Sequence, residues 1–259
     1  MPYLDVEGRK AFFVHRQPVP AGNLPLVFLH GAGGLHRHWL YQVRDLPHLP
    51  SYALDLPGHG ESDGPGRSTV AAYAGWLIAF LDAAGLGQAI LVGHSMGGAI
   101  ALQVALQHPD RVAGLGLVGT GARLRVAPAL LEMLQQDFQC ALPLMSEWAY
   151  GPDASPEMVR QGRQQLAATP PEVLYDDFLA CDAFQVMDRL QEITAPTLVL
   201  CGTQDRMTPV KYSTYLADNI RGARLHLVEG AGHMVMLENP ETVSQELGSF
   251  AQVIAGQQV

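Results

Sequence analysis

Residues 88–100, Q-A-I-L-V-G-H-S-M-G-G-A-I, constrain this chain more than any other stretch. Four apolar residues, 89–92, run straight into Gly93-His94-Ser95-Met96-Gly97, and an apolar, small-residue run follows to Gln107. That order predicts a strand, a tight turn and a helix buried against a sheet. A serine at the apex of such a turn is held in a strained conformation, and glycines two residues to either side let the strand and helix backbones approach closely. The consequence is an exposed Oγ. An ordinary glycine-rich turn gives no reason for a polar residue at the apex.

The rest of the chain supplies the sheet that such a turn needs. Residues 3–7 and 11–15 read as an antiparallel hairpin about Gly8. The continuous apolar run 25–30 predicts a strand covered on both faces, and it ends in His30-Gly31-Ala32-Gly33-Gly34. Glycines there let the loop turn sharply and present backbone N–H groups inward, so the Ala32 amide is a candidate oxyanion donor. Residues 51–56 predict another strand, followed by a turn rich in breakers whose His59 reads as structural. Apolar residues at helical spacing from Val70 to Ala84, with Ser68 or Thr69 as N-cap and Gly85 as stop, predict a helix. Residues 112–121 formally satisfy G-x-G-x-x-G, but these glycines lie inside an apolar strand and open no helix, which excludes a dinucleotide fingerprint.

From 122 to about 192 the strand and helix alternation stops, and mixed helical character punctuated by six prolines takes over. This predicts a core of residues 1–121 and 191–259 carrying a helical cap at 122–190. Leu130, Leu134, Phe138 and Trp148 are the cap candidates for lining a pocket. The cap has few cations, with Arg123 and Arg125 at its start, so a mostly apolar acyl pocket is expected. The sheet resumes at 195–202, with Asp205 just beyond it, and a last strand at 223–228 is followed by His233. In open α/β sheets that edge is where ligands bind. Helices are expected at 210–219 and 240–254.

Length and charge bound the partners. At 259 residues the chain accommodates one large core with an insertion. A formal net charge of -9 with no basic block argues against nucleic acid or an anionic membrane surface as a partner. The N-terminus has no secretory pattern and no apolar run reaches membrane-span length, so a cytoplasmic protein is expected, either a monomer or a homodimer. Cys140, Cys181 and Cys201 are odd in number and contain no C-x-x-C pair, so they are expected to be reduced and buried. His36 and His38 have H-x-H spacing but no further ligand nearby in sequence, and no metal is expected there.

Ser95, Asp205 and His233 thus occur in the order serine, acid, histidine, each after a predicted strand of one sheet. With H-G-A-G-G at 30–34, D-L-P-G-H-G-E-S at 55–62, V-G-H-S-M-G-G at 92–98, G-T-Q-D-R-M-T-P at 202–209 and G-A-G-H at 230–233, the chain resembles the α/β-hydrolase superfamily from residue 25 to its C-terminus. It is most similar to the cap-bearing serine esterases and lactonases, including 3-oxoadipate enol-lactonases. The resemblance implies an α/β fold with a mostly parallel central sheet, helices on both faces and a helical cap. It also implies a cofactor-free serine hydrolase acting on a small ester or lactone. Ser95 would be nucleophile, His233 base and Asp205 its partner, with the amides of Ala32 and Met96 as oxyanion hole. Lactone hydrolysis, C–C bond hydrolysis and non-enzymatic ligand sensing on the same fold are the alternatives.

Overall fold

Strands form where the apolar runs stand. The structure, a computed structural model, describes residues 3–16 and 24–256, so the extreme ends of the expected core, 1–2 and 257–259, lie outside the described residues. β1 (Tyr3–Val6) and β2 (Arg9–Arg16) form the predicted hairpin. β3 (Leu26–Leu29), β4 (Ser51–Leu54), β5 (Ala89–His94), β6 (Val112–Val118), β7 (Thr197–Gly202) and β8 (Arg224–Val228) complete an eight-stranded sheet. Its order is β1-β2-β4-β3-β5-β6-β7-β8, antiparallel as far as the β2–β4 pair and parallel from β4 onward. β4 stops short of residue 56 because Leu56 gives its N–H to the His30 ring at 3.0 Å rather than to a neighbouring strand.

In chain order the helices are α1 (Leu40–Asp45), α2 (Val70–Ala83), α3 (Met96–Gln107), α4 (Pro128–Gln136), α5 (Phe138–Ala149), α6 (Pro156–Ala168), α7 (Pro171–Ala183), α8 (Val210–Asn219), α9 (Val235–Glu238) and α10 (Pro240–Gly256). Thr69 caps α2 by accepting the Ala72 N–H at 3.2 Å, and Gly85 leaves the helix with φ +67°. Every residue of β3, β5, β6 and β7 is buried, as strands covered on both faces must be. Alternation along β5 divides the core. Ala89 and Leu91 pack with Leu77, Phe80 and Ile100 of α2 and α3, whereas Ile90 and Val92 pack with Trp39 and with Leu247 and Phe250 of α10.

The β5–α3 joint needs both of its flanking glycines. A Cβ on Gly93 would lie 2.2 Å from the Gly97 carbonyl carbon, and one on Gly97 would lie 2.4 Å from the Leu29 carbonyl oxygen. Only hydrogen fits.

Helices α4–α7 lie between β6 and β7 in sequence, and a bridge between Arg123 and Gln185 joins the two ends of this segment. They enclose their own apolar cluster of Leu130, Leu134, Ala141, Met145, Leu174 and Phe178. Cys140 corrects an expectation, because it is exposed whereas Cys181 and Cys201 are buried. The inward stripe of α5 falls on Ala141, Leu142 and Met145, which turns residue 140 outward.

Candidate active site

Three strand ends meet at one cavity. Ser95 follows β5, Asp205 follows β7 and His233 follows β8, and both Ser95 and His233 line the cavity. Ser95 has φ +51° and ψ -115°, a conformation that non-glycine residues rarely adopt and that persists only where its surroundings enforce it. His233 Nδ1 lies 2.9 Å from Asp205 Oδ2, and both side chains are buried. Asp205 Oδ1 accepts the N–H groups of Met207 (2.9 Å) and Thr208 (2.8 Å), and Oδ2 accepts the Thr208 hydroxyl at 2.8 Å. Burial alone would raise the Asp205 pKa, but His233 and the Thr208 donors outweigh it and hold the carboxyl below its ordinary value. An ionised Asp205 accepts from Nδ1–H, leaving Nε2 of His233 as the ring's free lone pair.

The peptide joining Gly31 to Ala32 is oriented by a histidine that sequence reasoning passed over. His30 is fully buried, and its Nε2 accepts the Leu56 N–H, so its proton sits on Nδ1 and is donated to the Gly31 carbonyl at 2.8 Å. Gly34 N–H donates to the same oxygen at 2.9 Å. In a trans peptide the Ala32 N–H then points the opposite way. Ala32 lines the cavity. The Met96 N–H, at the first position of α3, has no acceptor within its helix.

His94 and the loop around His233 are also tied down. His94 Nε2 donates to the His233 carbonyl at 3.0 Å, with the two rings 4.5 Å apart. Met234 N–H donates to the Ala149 carbonyl at 3.0 Å, and Glu238 Oε2 accepts from Gly151 (2.8 Å) and Gly232 (3.0 Å). Burial pushes the Glu238 carboxyl above its ordinary value. No short-range pattern marks these partners, which lie 85 or more residues apart except within the loop itself.

Ser95, Phe178, Cys181 and Met207 line two adjoining pockets, an inner arm and an outer arm. The inner arm is lined by Met145, Ala149, Tyr150, Leu166 and Met234 among others, with His38, His94, Ser146, Gln165 and His233 among its polar members and, among the described residues, no Lys, Arg, Asp or Glu. The outer arm passes Leu124, Leu130 and Trp148 toward Arg125, Arg206 and Tyr212. Of the four expected lining residues, Leu130 and Trp148 therefore line the outer arm, whereas Leu134 and Phe138 line neither arm. Leu134 is 3% exposed inside the α4–α7 cluster, and Phe138 packs against that cluster from outside. Helical spacing marks an apolar stripe without saying whether it faces a ligand or another helix.

His36 and His38 are committed elsewhere, His36 Nδ1 to Asp55 at 2.9 Å and His38 Nε2 to Gln165. Among the described residues no group of three or more His, Cys, Asp or Glu is placed to hold a metal ion. Nor is any helix among them long and apolar enough to cross a membrane.

Two of these buried histidines set a stability prediction. Burial, with His59 acting on His30 and His233 on His94, holds both pKa values well below 6.5. In the unfolded chain both take up protons near pH 6.5, whereas in the folded protein they do not. Stability therefore falls as pH drops through that value, with a slope that grows to about 1.4 kcal/mol per pH unit for each histidine once the unfolded-state ring is fully protonated. His59 does not offset this. Burial opposes its charge but Asp177 outweighs burial and raises its pKa, so its contribution is already complete below pH 6.5. Unfolding by urea at pH 6.5 and 5.5 should reveal a stability difference of about 2 kcal/mol from His30 and His94 together, because each unfolded-state ring is already half protonated at the upper pH. Equal midpoints would mean that these two rings protonate in the folded protein as they do in the unfolded chain.

Comparison with known proteins agrees with this architecture. Residues 26–246 match the model of the alpha/beta hydrolase family. The chain is 31% identical over 273 residues to a 2-hydroxy-6-oxononadienedioate/2-hydroxy-6-oxononatrienedioate hydrolase of Paraburkholderia phymatum, covering 96% of this chain and 94% of that one. It is 29% identical over 255 residues to a pimeloyl-[acyl-carrier protein] methyl ester esterase of Neisseria meningitidis, covering 92% and 96%. Among solved structures it superposes with a TM-score of 0.87 on Est816, described as an N-acyl homoserine lactone degrading enzyme, at 30% identity and covering 96% of this chain and all of that one. With eight strands in this order, a strained serine after β5 and a family match spanning both sides of the α4–α7 insertion, the chain belongs to the alpha/beta hydrolase family.

Proposed function

We propose that the protein is a carboxylic-ester hydrolase that works through an acyl-enzyme on Ser95, beneath a cap formed by residues 122–190. The observation that carries this reading is the enforced positive φ of Ser95 beside a cavity that it shares with an Asp205-paired histidine. His233 Nε2 takes the Ser95 hydroxyl proton as Oγ bonds to the acyl carbon, and the carbonyl oxygen becomes an oxyanion received by the Ala32 and Met96 amides. Collapse breaks the ester C–O bond and the alcohol leaves with the proton from His233. Water, deprotonated by the same ring, then releases the acid.

The experiment is fluorophosphonate labelling followed by a multiple-turnover screen of p-nitrophenyl esters, lactones, enol-lactones and vinylogous 1,5-diketones. Labelling at Ser95 with ester turnover supports the reading. Labelling with no turnover on any of these points to a ligand sensor, and turnover of diketones alone to C–C hydrolysis.

The lining of the inner arm favours neutral acyl groups. Among the described residues no Lys or Arg lines this arm, so a carboxylate pushed into it would be desolvated without compensation. Neutral acyl groups should gain at most about 0.8 kcal/mol per added methylene, roughly fourfold in kcat/KM, until the arm is full. One observation favours a second reading. Arg125 and Arg206 stand in the outer arm, their acidic partners among the described residues being Asp182 at 3.8 Å and Glu147 at 3.6 Å, where a carboxylated lactone could place its charge. Measuring kcat/KM from acetate to decanoate beside a carboxylated enol-lactone decides between them. A preference of orders of magnitude for the carboxylated substrate, lost in Arg125→Ala or Arg206→Ala, would replace the neutral-ester reading with the lactonase one.

A further inference from the structure

The loop that presents the Ala32 amide is held from two sides. The core holds Gly31 through His30. The next two peptides are held by the cap: Gly33 N–H donates to Asp177 Oδ2 at 2.8 Å, and the Gly33 carbonyl accepts from Gln165 Nε2 at 2.7 Å and from the Thr169 hydroxyl at 3.1 Å. Gly33 has φ +61°, and a Cβ there would lie 2.6 Å from methyl carbons of both Leu166 and Leu174. The loop backbone is thus pressed directly against α6 and α7.

Asp177 is the centre of this contact. It is fully buried, has no Lys or Arg partner among the described residues, and gives its remaining acceptor capacity to His59 Nε2 at 2.8 Å and the Tyr73 hydroxyl at 2.6 Å. One carboxylate on α7 therefore joins the cap, the oxyanion loop, the turn after β4 and helix α2. A buried carboxylate is costly unless hydrogen-bonded throughout, and an apolar residue of similar volume would pack α7 with less desolvation. What the carboxylate adds is direction, because it fixes where the Gly33 N–H points.

We propose that cap docking completes the oxyanion hole, with Asp177 and Thr169 as positioning residues that fix the Ala32 amide through Gly33. This rests on the serine-hydrolase reading above. Because the Ala32 N–H meets full negative charge only after Oγ has added, loosening the clamp weakens transition-state binding and leaves ground-state binding nearly intact. An undocked cap would leave a protein that still holds substrate and turns it over slowly.

The test compares Asp177→Asn and Thr169→Val with the unmodified protein on a neutral p-nitrophenyl ester. It also uses two inhibitors of the same shape: a trifluoromethyl ketone, which adds to Ser95 Oγ to form a hemiketal oxyanion, and the corresponding secondary alcohol, which cannot. Asp177→Asn keeps the oxygen that Gly33 N–H and His59 Nε2 share but removes its charge and puts a donor against the Tyr73 hydroxyl, and kcat should fall about 10- to 30-fold with KM within about threefold. Ketone affinity should fall in step with kcat, and alcohol affinity should stay unchanged. Thr169→Val keeps the side-chain shape, removes one bond to Gly33 and should give the same pattern at about three- to tenfold. If Asp177→Asn does not fold, Thr169→Val decides. A folded variant with unchanged kcat, or with ketone and alcohol affinities lost together, overturns the clamp while leaving the hydrolase reading standing. An unmodified protein that neither hydrolyses the ester nor prefers the ketone to the alcohol overturns both.

Discussion

Ser95→Ala should lower turnover by a factor on the order of 10⁴ to 10⁶ and leave the fold intact. The lost atom is the nucleophile in the proposed mechanism, and among the described residues no hydrogen-bond partner of Oγ is orphaned by its removal. Alanine keeps the Cβ and with it the same backbone strain. Ser95→Gly separates the two effects. At φ +51° and ψ -115° the residue sits close to the first central position of a type II′ turn, which glycine occupies without penalty. That variant should also be inactive, yet more stable by about 1–3 kcal/mol, the strain released at an enforced non-glycine site. Thermal midpoints and ester turnover on all three proteins check both halves. Turnover surviving in Ser95→Ala would remove serine from the mechanism, and a Ser95→Gly protein less stable than Ser95→Ala would mean that the elbow stores no strain.

The elements legible in the sequence are those whose cause is local. Strand β5, the glycine at 93 and helix α3 follow from a period change and a clearance between residues 93 and 97, whereas Gly97 also answers to a distant partner, the Leu29 carbonyl. The Thr69 cap and the Gly85 stop of α2 are equally short-range. The positions of Asp205 and His233 beyond β7 and β8 follow from where apolar runs end. What stayed hidden depends on partners brought together only by the fold. Asp177 is the second of two adjacent aspartates with no motif around it, and it is buried because donors 104 to 144 residues away in sequence converge on it. His30 looks like the end of a strand, and its role in aiming the Gly31–Ala32 peptide requires the Leu56 amide to select its tautomer. Leu134 and Phe138 carry the same apolar signal as Leu130 and Trp148. Only the packing of α4–α7 decides which pair faces the cavity.

Asp205→Asn should cost about 10⁴ in kcat, far more than the loss of one charge near an exposed group, because the surrounding donors dictate which way the new amide must face. Two backbone N–H groups, from Met207 and Thr208, point at Oδ1, and neither can turn away without breaking the loop after β7. The amide oxygen must therefore occupy that position. Its NH2 then falls at the place of Oδ2, 2.9 Å from His233 Nδ1. Thr208 does not resist this, since its hydroxyl can accept from the amide as readily as it donates to the carboxylate. A donor at that place forces Nδ1 to accept, so the ring's proton moves to Nε2 and the lone pair that would receive the Ser95 proton is gone. The imidazolium formed in the transition state also loses its counter-charge. Asp205→Ala imposes no tautomer and should retain more activity than Asp205→Asn despite the larger excision. Measuring kcat for both at pH 7.5 tests the argument: an Asn variant within tenfold of the unmodified protein, or one more active than the Ala variant, would show that Asp205 does not set the His233 tautomer.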